Sequence, residues 1–228
     1  QNDQTQQAVE LLQTLLQEDP SHLDAERLLV ELHLQTGSLD LAEQHAESLA
    51  ERFLEKKAYQ KAINLFEYWV GAAPASARAR ERLAQFYQLN GDLDGAKMEW
   101  LMVTESHQAG GDFQRAARSL ERALELDPQQ VEWRLRLAQL KAQELGQVES
   151  ALQDLRLLFQ ADPSWRKATV CYLDLLMEQS RMAELGEALQ AVEHLTPGSG
   201  LKDNVVRSVK EKMTREPDNL ELAFGWGE

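Results

Sequence analysis

The chain of 228 residues has little of what disulfides, metal sites and membrane spans require. Its single cysteine, Cys171, can form neither an intramolecular disulfide nor a cysteine-based metal site. No uncharged apolar run approaches the roughly 18 residues of a membrane span, so we expect no direct membrane insertion. The histidines match no metal-ligand spacing, and no phosphate-binding loop or nucleophile elbow occurs. We therefore expect that the protein binds no metal and no cofactor and is not an enzyme.

Basic and aromatic residues are also scarce. Lys and Arg number 24 against 38 Asp and Glu, which gives a net charge of -14. This charge would repel a phosphate backbone, so we expect no nucleic acid partner. We interpret the role of this negative charge as solubility. The alternative is that it attracts a basic partner. The first residues lack the basic and apolar segments of a signal peptide, so we expect a cytoplasmic protein, or a periplasmic one if a parent chain carries a signal.

Aromatic residues make up 7 % of the chain, and Ala, Leu, Gln and Glu dominate it. These are strong helix formers, so the composition predicts helix almost throughout. The prolines stand at positions 20, 74, 128, 163, 197 and 217, and the intervals between them are 54, 54, 35, 34 and 20. The interval of 54 equals 34 plus 20, so the longer intervals fit one unit of about 34 residues with 20 added residues. A recurrence of about 34 residues is typical of helical repeat arrays.

Apolar residues recur at two fixed distances before the prolines. Twelve residues upstream stand Ala8, Ala62, Ala116, Ala151, Leu185 and Val205, and eight residues upstream stand Leu12, Phe66, Leu120, Leu155, Leu189 and Val209. A spacing of four puts each pair on one helix face, where a small residue lets two helices approach closely. Gly37 follows Pro20 at the same distance as Gly91 follows Pro74, and both predict helix ends. Gly146 indicates the same turn with one extra residue.

Two segments carry this pattern most fully: ARERLAQFYQLNGDLDGA at 79–96 and AYQKAINLFEYWVGAAP at 58–74. They resemble the tetratricopeptide repeat, a unit of about 34 residues with two helices, and the resemblance extends over roughly residues 5–197. It implies an all-α fold, a right-handed superhelical α-solenoid of antiparallel helix pairs.

The tetrapeptide at 110–113 is GGDF, which resembles the signature turn of diguanylate cyclases but lacks the further acidic residue that those enzymes have before the phenylalanine. Those enzymes hold this turn in a β-hairpin. Here Gly111, Phe113 and Ala116 fall at the turn and second-helix positions of the repeat, and Pro128 follows at the expected distance. We interpret the match with the enzymes as coincidence.

Two insertions lengthen the array, one between Gly37 and Tyr59 and one between Gly91 and Phe113. Each is predicted to form one inserted helix of about 17 residues. In the first, Leu41, His45, Leu49 and Phe53 run along one side and Ala42, Ala46 and Ala50 along the other. We expect 12 helices in all, at about 3–17, 22–36, 39–56, 59–72, 76–90, 93–108, 112–125, 129–144, 147–161, 164–179, 182–195 and 201–215.

The repeat pattern weakens after Pro197-Gly198-Ser199-Gly200, the one linker-like segment. We therefore expect a repeat array over 1–197 and a weaker continuation over 198–228 that ends in a stub near Asn219. The first helix lacks a partner to cover its apolar residues, and terminal repeats usually carry a polar cap. This suggests part of a larger protein, or self-association through uncapped ends.

Most residues that could carry chemistry are interpreted as structural. His33 falls on a core position, and Cys171 within an apolar run is expected to be a buried, inert thiol. Trp69 and Trp100 are expected in the core. Trp165 starts a helix and could anchor a partner, whereas the role of Trp226 is left open.

Tetratricopeptide arrays bind extended peptides or partner helices in a concave groove, so the resemblance implies such a surface here. The resemblance places groove residues at fixed distances after each proline. The candidates at these positions are Arg27, Glu31, Arg78, Glu81, Gln85, Glu132, Gln139, Lys167 and Asp174. Chaperone-binding members clamp a carboxylate with Lys and Asn. The Asn positions here hold Glu31, Gln85, Gln139 and Asp174, and acids would repel that ligand. We expect a protein or peptide partner that is basic or amphipathic.

The predicted function is a non-catalytic protein–protein interaction scaffold that binds a peptide or helical segment. Two alternatives stay open. The array could be the targeting or regulatory arm of an enzyme whose catalytic domain lies outside this chain. It could also be an RNA-binding helical repeat of the pentatricopeptide type, which the charge of -14 opposes.

Overall fold

The computed structural model describes residues 2–195 and Arg207. Within this part the chain forms 11 α-helices and no β-strand. The helices are α1 (Asn2–Glu18), α2 (Leu23–Gln35), α3 (Leu39–Glu55), α4 (Tyr59–Ala72), α5 (Ala77–Asn90), α6 (Leu93–Ala109), α7 (Phe113–Leu126), α8 (Val131–Gln143), α9 (Val148–Ala161), α10 (Arg166–Glu178) and α11 (Met182–Leu195). The helix expected at 201–215, the stub near Asn219, the linker at 197–200 and Trp226 lie outside the described residues.

The all-helical prediction is confirmed, and the predicted helix ends lie within two residues of the observed ones. The two inserted helices, α3 and α6, have 17 residues each. From α1 to α7, and again from α8 to α11, successive helices are joined by short turns and pack side by side, as in helical hairpins. This is the arrangement of a helical solenoid.

The helices fall into two compact units. Gln1–Asp127 holds α1 to α7, and Pro128–Glu228 holds α8 to α11; we call them unit 1 and unit 2. In unit 1, α2 packs on both α3 and α4. The division expected near residue 197 borders residues that are not described, so it stays a prediction, as does the hand of the superhelix.

Side chains at the helix starts fix the ends of several elements. Ser76 and Asp92 accept hydrogen bonds from backbone N–H groups of the first turns of α5 and α6, at 3.2 and 2.9 Å. Asp112 of the GGDF tetrapeptide does the same for α7, accepting from the N–H of Arg115 at 3.0 Å. This aspartate is therefore a helix cap between α6 and α7, and the GGDF tetrapeptide lies in no β-hairpin.

Left-handed backbone occurs at the predicted turn glycines. Gly37, Gly91 and Gly146 have φ angles of 74°, 86° and 63°. At the corresponding turn after Pro163 the chain has a serine, and Ser180 adopts φ 56° without the freedom of glycine. The position counted from the proline thus sets the backbone conformation even where the residue differs.

The small residues predicted to lie between helices are buried. Ala62, Ala116 and Ala151 have no exposed surface, and their partners Phe66, Leu120 and Leu155 are buried as well. In α1 the corresponding Ala8 and Leu12 are only partly buried. The core of each unit thus follows the apolar positions counted from the prolines.

One prediction for α3 is wrong. The helical spacing predicts Leu41 on a packing face, but 45 % of its surface is exposed. The alanine side, Ala42, Ala46 and Ala50, is completely buried together with Leu49 and Phe53. The backbone of α3 thus approaches its neighbours on the small-residue face, which leaves the first-turn leucine outside.

Candidate functional site

A groove between α8 and α10 of unit 2 contains a cavity of about 700 Å³. Its walls are formed by Glu132, Trp133, Leu135, Arg136 and Gln139 of α8 and by Arg166, Lys167, Val170 and Cys171 of α10. Leu135 is buried, and Val170 and Cys171 are partly buried. The groove therefore has an apolar floor, with charged groups around it.

A smaller cavity of about 200 Å³ continues the groove toward the C-terminal ends of α8 and α10. It shares Gln139 and Cys171 with the first cavity and adds Asp174 and Glu178. We call the two cavities together the α8–α10 groove. Its first part is rimmed by Arg136, Arg166 and Lys167, and its second part by carboxylates, so the groove has a basic and an acidic end.

Asp174 is a partly buried carboxylate in the acidic end. Burial raises the pKa of Asp174, and the negative charge of Glu178 one turn further raises this pKa again. Among the described residues Asp174 has neither a hydrogen bond nor an ion pair. A cation that entered this part of the groove would meet a carboxylate without a partner.

The prediction that Cys171 is a buried thiol is wrong. The thiol is only partly buried and lies in the groove, where its Sγ accepts a hydrogen bond from Nε2 of Gln139 at 3.3 Å. The reason is helical periodicity. Cys171 shares the groove face of α10 with Val170 and Asp174, whereas Tyr172 and Leu173 face the core.

The predicted groove residues of unit 2 come together. Glu132, Gln139, Lys167 and Asp174 all line the α8–α10 groove. Nζ of Lys167 lies 3.6 Å from Oε1 of Glu132, and both side chains are mostly exposed. Such an exposed pair is weak, so either group is available to a partner.

The predicted residues of unit 1 are divided among different contacts. Arg27 and Glu31 form an ion pair with each other along α2. Gln85 accepts a hydrogen bond from Arg82 at 3.1 Å. Arg78 and Glu81 line another cavity, of about 400 Å³, formed by α5, α6 and α7.

Arg78 also belongs to an ionic network between α3 and α5. Its Nε lies 2.9 Å from Oε1 of Glu47, and Arg82 binds the same carboxylate through two nitrogens. Burial raises the pKa of Glu47, but hydrogen bonds from Arg82 and Arg78 outweigh this effect, and the net pKa is lowered. In unit 1 this partly buried carboxylate therefore holds two helices together.

Cavity-lining residues on the second helix of a repeat were not predicted from the sequence. Arg115, Arg118 and Arg122 of α7 line the 400 Å³ cavity, yet the family pattern directs attention to first helices. Arg118 and Arg122 follow Arg115 by three and seven residues in the sequence, and this spacing puts all three on one helix face. Trp133, Arg136 and Arg166 of the groove in unit 2 were missed as well.

The tryptophans in described segments follow the predictions for the core. Trp69 and Trp100 are buried, and neither indole N–H has an acceptor in the described part of the chain. Trp165 is partly buried at the start of α10 and packs on the core of unit 2. Its anchoring role stays a prediction.

Paired helices with surface grooves define the class of helical-repeat proteins. The tetratricopeptide repeat family model matches residues 1–53 and 107–169, which is half of the chain. The chain belongs to the tetratricopeptide repeat family. Repeats of this family are typically non-catalytic interaction modules, so the chain is a protein–protein interaction scaffold.

Several solved structures are similar to this chain. YrrB, a tetratricopeptide repeat protein with an unusual peptide-binding site, shares 15 % identity over 75 % of this chain and 97 % of its own, with a TM-score of 0.41. The thermophilic TTC0263 of Thermus thermophilus shares 16 % over 74 % and 99 %, with a TM-score of 0.40. PilF of Pseudomonas aeruginosa shares 17 % over 91 % of both chains, with a TM-score of 0.36. No curated protein matches the chain by sequence.

No helix in the described segments combines the length and apolar character needed to cross a membrane.

Proposed function

We propose that the α8–α10 groove binds a segment of a partner protein and that the chain serves as a non-catalytic scaffold for that partner. The observation that carries the proposal is the apolar cavity of about 700 Å³ beside Asp174, a carboxylate without a partner in the described residues. Ligand cavities typically enclose about 300–1,000 Å³, with an apolar lining and a few polar groups that fix orientation.

The groove favours an amphipathic segment with charges of both signs. An apolar side chain of the partner would fill the cavity against Leu135 and Val170 and lose its contact with water. A lysine or arginine of the partner would pair with Asp174 and Glu178. An acidic group at the other end would meet Arg166 and Lys167.

The distance between the two charged ends limits the length of this segment. Lys167 and Asp174 are seven residues apart on α10, which corresponds to about 10 Å along the helix. An extended peptide covers this distance with about three residues. The segment therefore needs an acidic residue, an apolar residue and a basic residue within a short stretch.

Selection from a phage-displayed peptide library against the whole chain tests the proposal. We expect enriched peptides to combine an acidic, an apolar and a basic residue, and to lose at least about tenfold in affinity when Asp174→Lys reverses the charge. Glu187→Lys on α11 is the matched control, since Glu187 is exposed and lies outside the groove. Peptides that bind equally well to Asp174→Lys would refute the site.

Membership of a larger protein and a cytoplasmic location stay predictions from the sequence.

A further inference from the structure

We propose that the cavity formed by α5, α6 and α7 is a second interaction surface, which binds an acidic segment of a partner protein. We call it the arginine cleft. It differs from the α8–α10 groove in its unit and its helices, and it has no acidic end like that formed by Asp174 and Glu178. The inference therefore goes beyond the function proposed above, and either surface can exist without the other.

The charges in the cleft are strongly unbalanced. Its lining contains four arginines, Arg78, Arg115, Arg118 and Arg122, and one carboxylate, Glu81. Glu81 is engaged inside the cleft, with Oε1 at 3.2 Å from Nε2 of His107. A chain with a net charge of -14 thus concentrates cations in a cavity of about 400 Å³.

Three of these arginines form a row on one face of α7. Arg115, Arg118 and Arg122 stand at spacings of three and four residues, so the row is about 10 Å long. The side chains of Arg115 and Arg122 are 68 % and 61 % exposed, and they pair with Asp112, the N-cap residue of α7, and with Glu125 of the same helix. Exposed pairs of this kind contribute at most about 1 kcal/mol, so an incoming carboxylate can replace them.

Arg118 in the middle of the row has no ion pair in the part of the chain that the structure describes. Its guanidinium is exposed and offers a planar set of donors that matches a carboxylate. Arg78 on the opposite side of the cleft is shared with Glu47 and is less available. We therefore assign the central contact to Arg118.

The spacing of the row indicates the form of the partner. Neighbouring arginines are separated by about 4.5 and 6 Å along α7, and alternate residues of an extended chain are about 6.6 Å apart. An extended segment with acids at alternate positions would therefore direct its carboxylates at successive arginines. A phosphate backbone would extend well beyond the cleft onto a chain with a charge of -14, which opposes nucleic acid.

Trp100 provides a local probe of occupancy. It lines the cleft, is 7 % exposed, and its indole N–H has no acceptor in the described region. The chain has five tryptophans, so the indole region of a proton–nitrogen NMR spectrum contains few resonances. Trp133 reports on the α8–α10 groove in the same spectrum, so binding at the two surfaces can be distinguished.

The test titrates the whole chain with a labelled peptide that carries Glu at alternate positions, and with a peptide that carries Lys there instead. We expect the acidic peptide, and not the lysine peptide, to shift the Trp100 resonance. Binding of either peptide to the α8–α10 groove would shift the Trp133 resonance instead and is counted separately. Arg118→Glu should weaken binding at least about tenfold. Because Arg118 is exposed, this change should leave the melting temperature nearly unchanged.

Lys61→Glu on α4 is the matched control, since it makes the same charge change at an exposed site outside the cleft. It should retain peptide affinity within about twofold. A peptide affinity that is absent, or that Arg118→Glu leaves intact, overturns the proposal. Single-stranded RNA that binds more tightly than the acidic peptide and shifts Trp100 also overturns it, in favour of a nucleic acid site.

Discussion

Glu47 of unit 1 and Asp174 of unit 2 are both partly buried carboxylates, yet their pKa values are displaced in opposite directions. Burial raises the pKa in both cases. For Glu47 the hydrogen bonds from Arg82 and Arg78 outweigh burial and lower the net pKa. Asp174 has no such partner among the described residues, and the charge of Glu178 adds to the effect of burial.

This difference separates a structural carboxylate from one that is free to bind. Glu47 joins α3 to α5 and stabilises unit 1 without help from outside. Asp174 costs unit 2 stability as long as it is charged and unpaired. A partner cation would compensate for that cost, which is why the binding groove is assigned to unit 2. Four predictions, from the largest expected effect to the smallest, test the comparison.

The first prediction removes the ionic network of unit 1. Glu47→Gln removes the negative charge that Arg78 and Arg82 bind. We expect the free energy of unfolding to fall by about 2 kcal/mol. Hydrogen exchange in peptides from α3 and α5 should report it. Glu43→Gln is the control, since Glu43 is 3.6 Å from Arg78 and both side chains are about half exposed. An equal loss in both variants would show that Glu47 has no special role.

The second prediction concerns His33, which is buried against the core of unit 1 and stacks on His45 with 5.7 Å between the ring centroids. Burial lowers the pKa of His33, and the charge of His45 lowers this pKa further. The unfolded chain therefore binds a proton first, so stability is lost as the pH falls below about 6.5 toward the lowered pKa.

His33→Phe should abolish this dependence and raise the stability of unit 1 by about 1 kcal/mol, because a ring nitrogen without a partner is removed. Chemical denaturation at a series of pH values measures both effects. A variant that still loses as much stability on acidification would show that the dependence comes from another group.

The third prediction removes the unpaired charge of unit 2. Asp174→Asn should leave the stability of unit 2 unchanged or raise it by up to about 1 kcal/mol at neutral pH. The sign of this change in stability follows from the raised pKa of Asp174. The contribution of Asp174 to stability is fully present at low pH and is lost as the pH rises through its pKa in the folded state. Hydrogen exchange in α8 and α10 at two pH values checks it. A clear loss of stability would mean that Asp174 has an internal partner.

As part of the third prediction, an added cation would sharpen the same comparison. Gln139→Lys places an ammonium group in the cavity that Asp174 lines, which should lower the pKa of Asp174 and make it resemble Glu47. Carbon NMR titration of the carboxyl group measures this change. The variant should also bind basic peptides less well, because the site would already contain a cation.

The sequence predicted the fold more completely than the candidate site. Proline intervals and small residues such as Ala62 and Ala116 determine helix ends and packing through local rules, and the helix ends were predicted within two residues. The positions of groove residues depend on which helices meet across the repeats. Arg118 was therefore missed, since it lies on a second helix, and Cys171 was misjudged, since it lies on the edge between core and groove.

The fourth prediction compares the two units at one backbone position. Gly91 follows Pro74 at the same distance as Ser180 follows Pro163, and their φ angles are 86° and 56°. Left-handed backbone strains a residue with a side chain, whereas glycine adopts it freely. A side chain at Gly91 would meet no atom within 4 Å, so a substitution there changes the backbone strain without a clash.

Ser180→Gly should therefore raise the stability of unit 2 by about 0.5 kcal/mol, and Gly91→Ser should lower that of unit 1 by about the same amount. Thermal unfolding of the two variants and of their combination measures the changes. Opposite and equal changes in stability would show that the turn itself, and not its surroundings, determines the cost of placing a side chain in left-handed backbone. If both variants are destabilised, the hydroxyl of Ser180 stabilises its turn by more than the strain it causes, and the two turns are not equivalent.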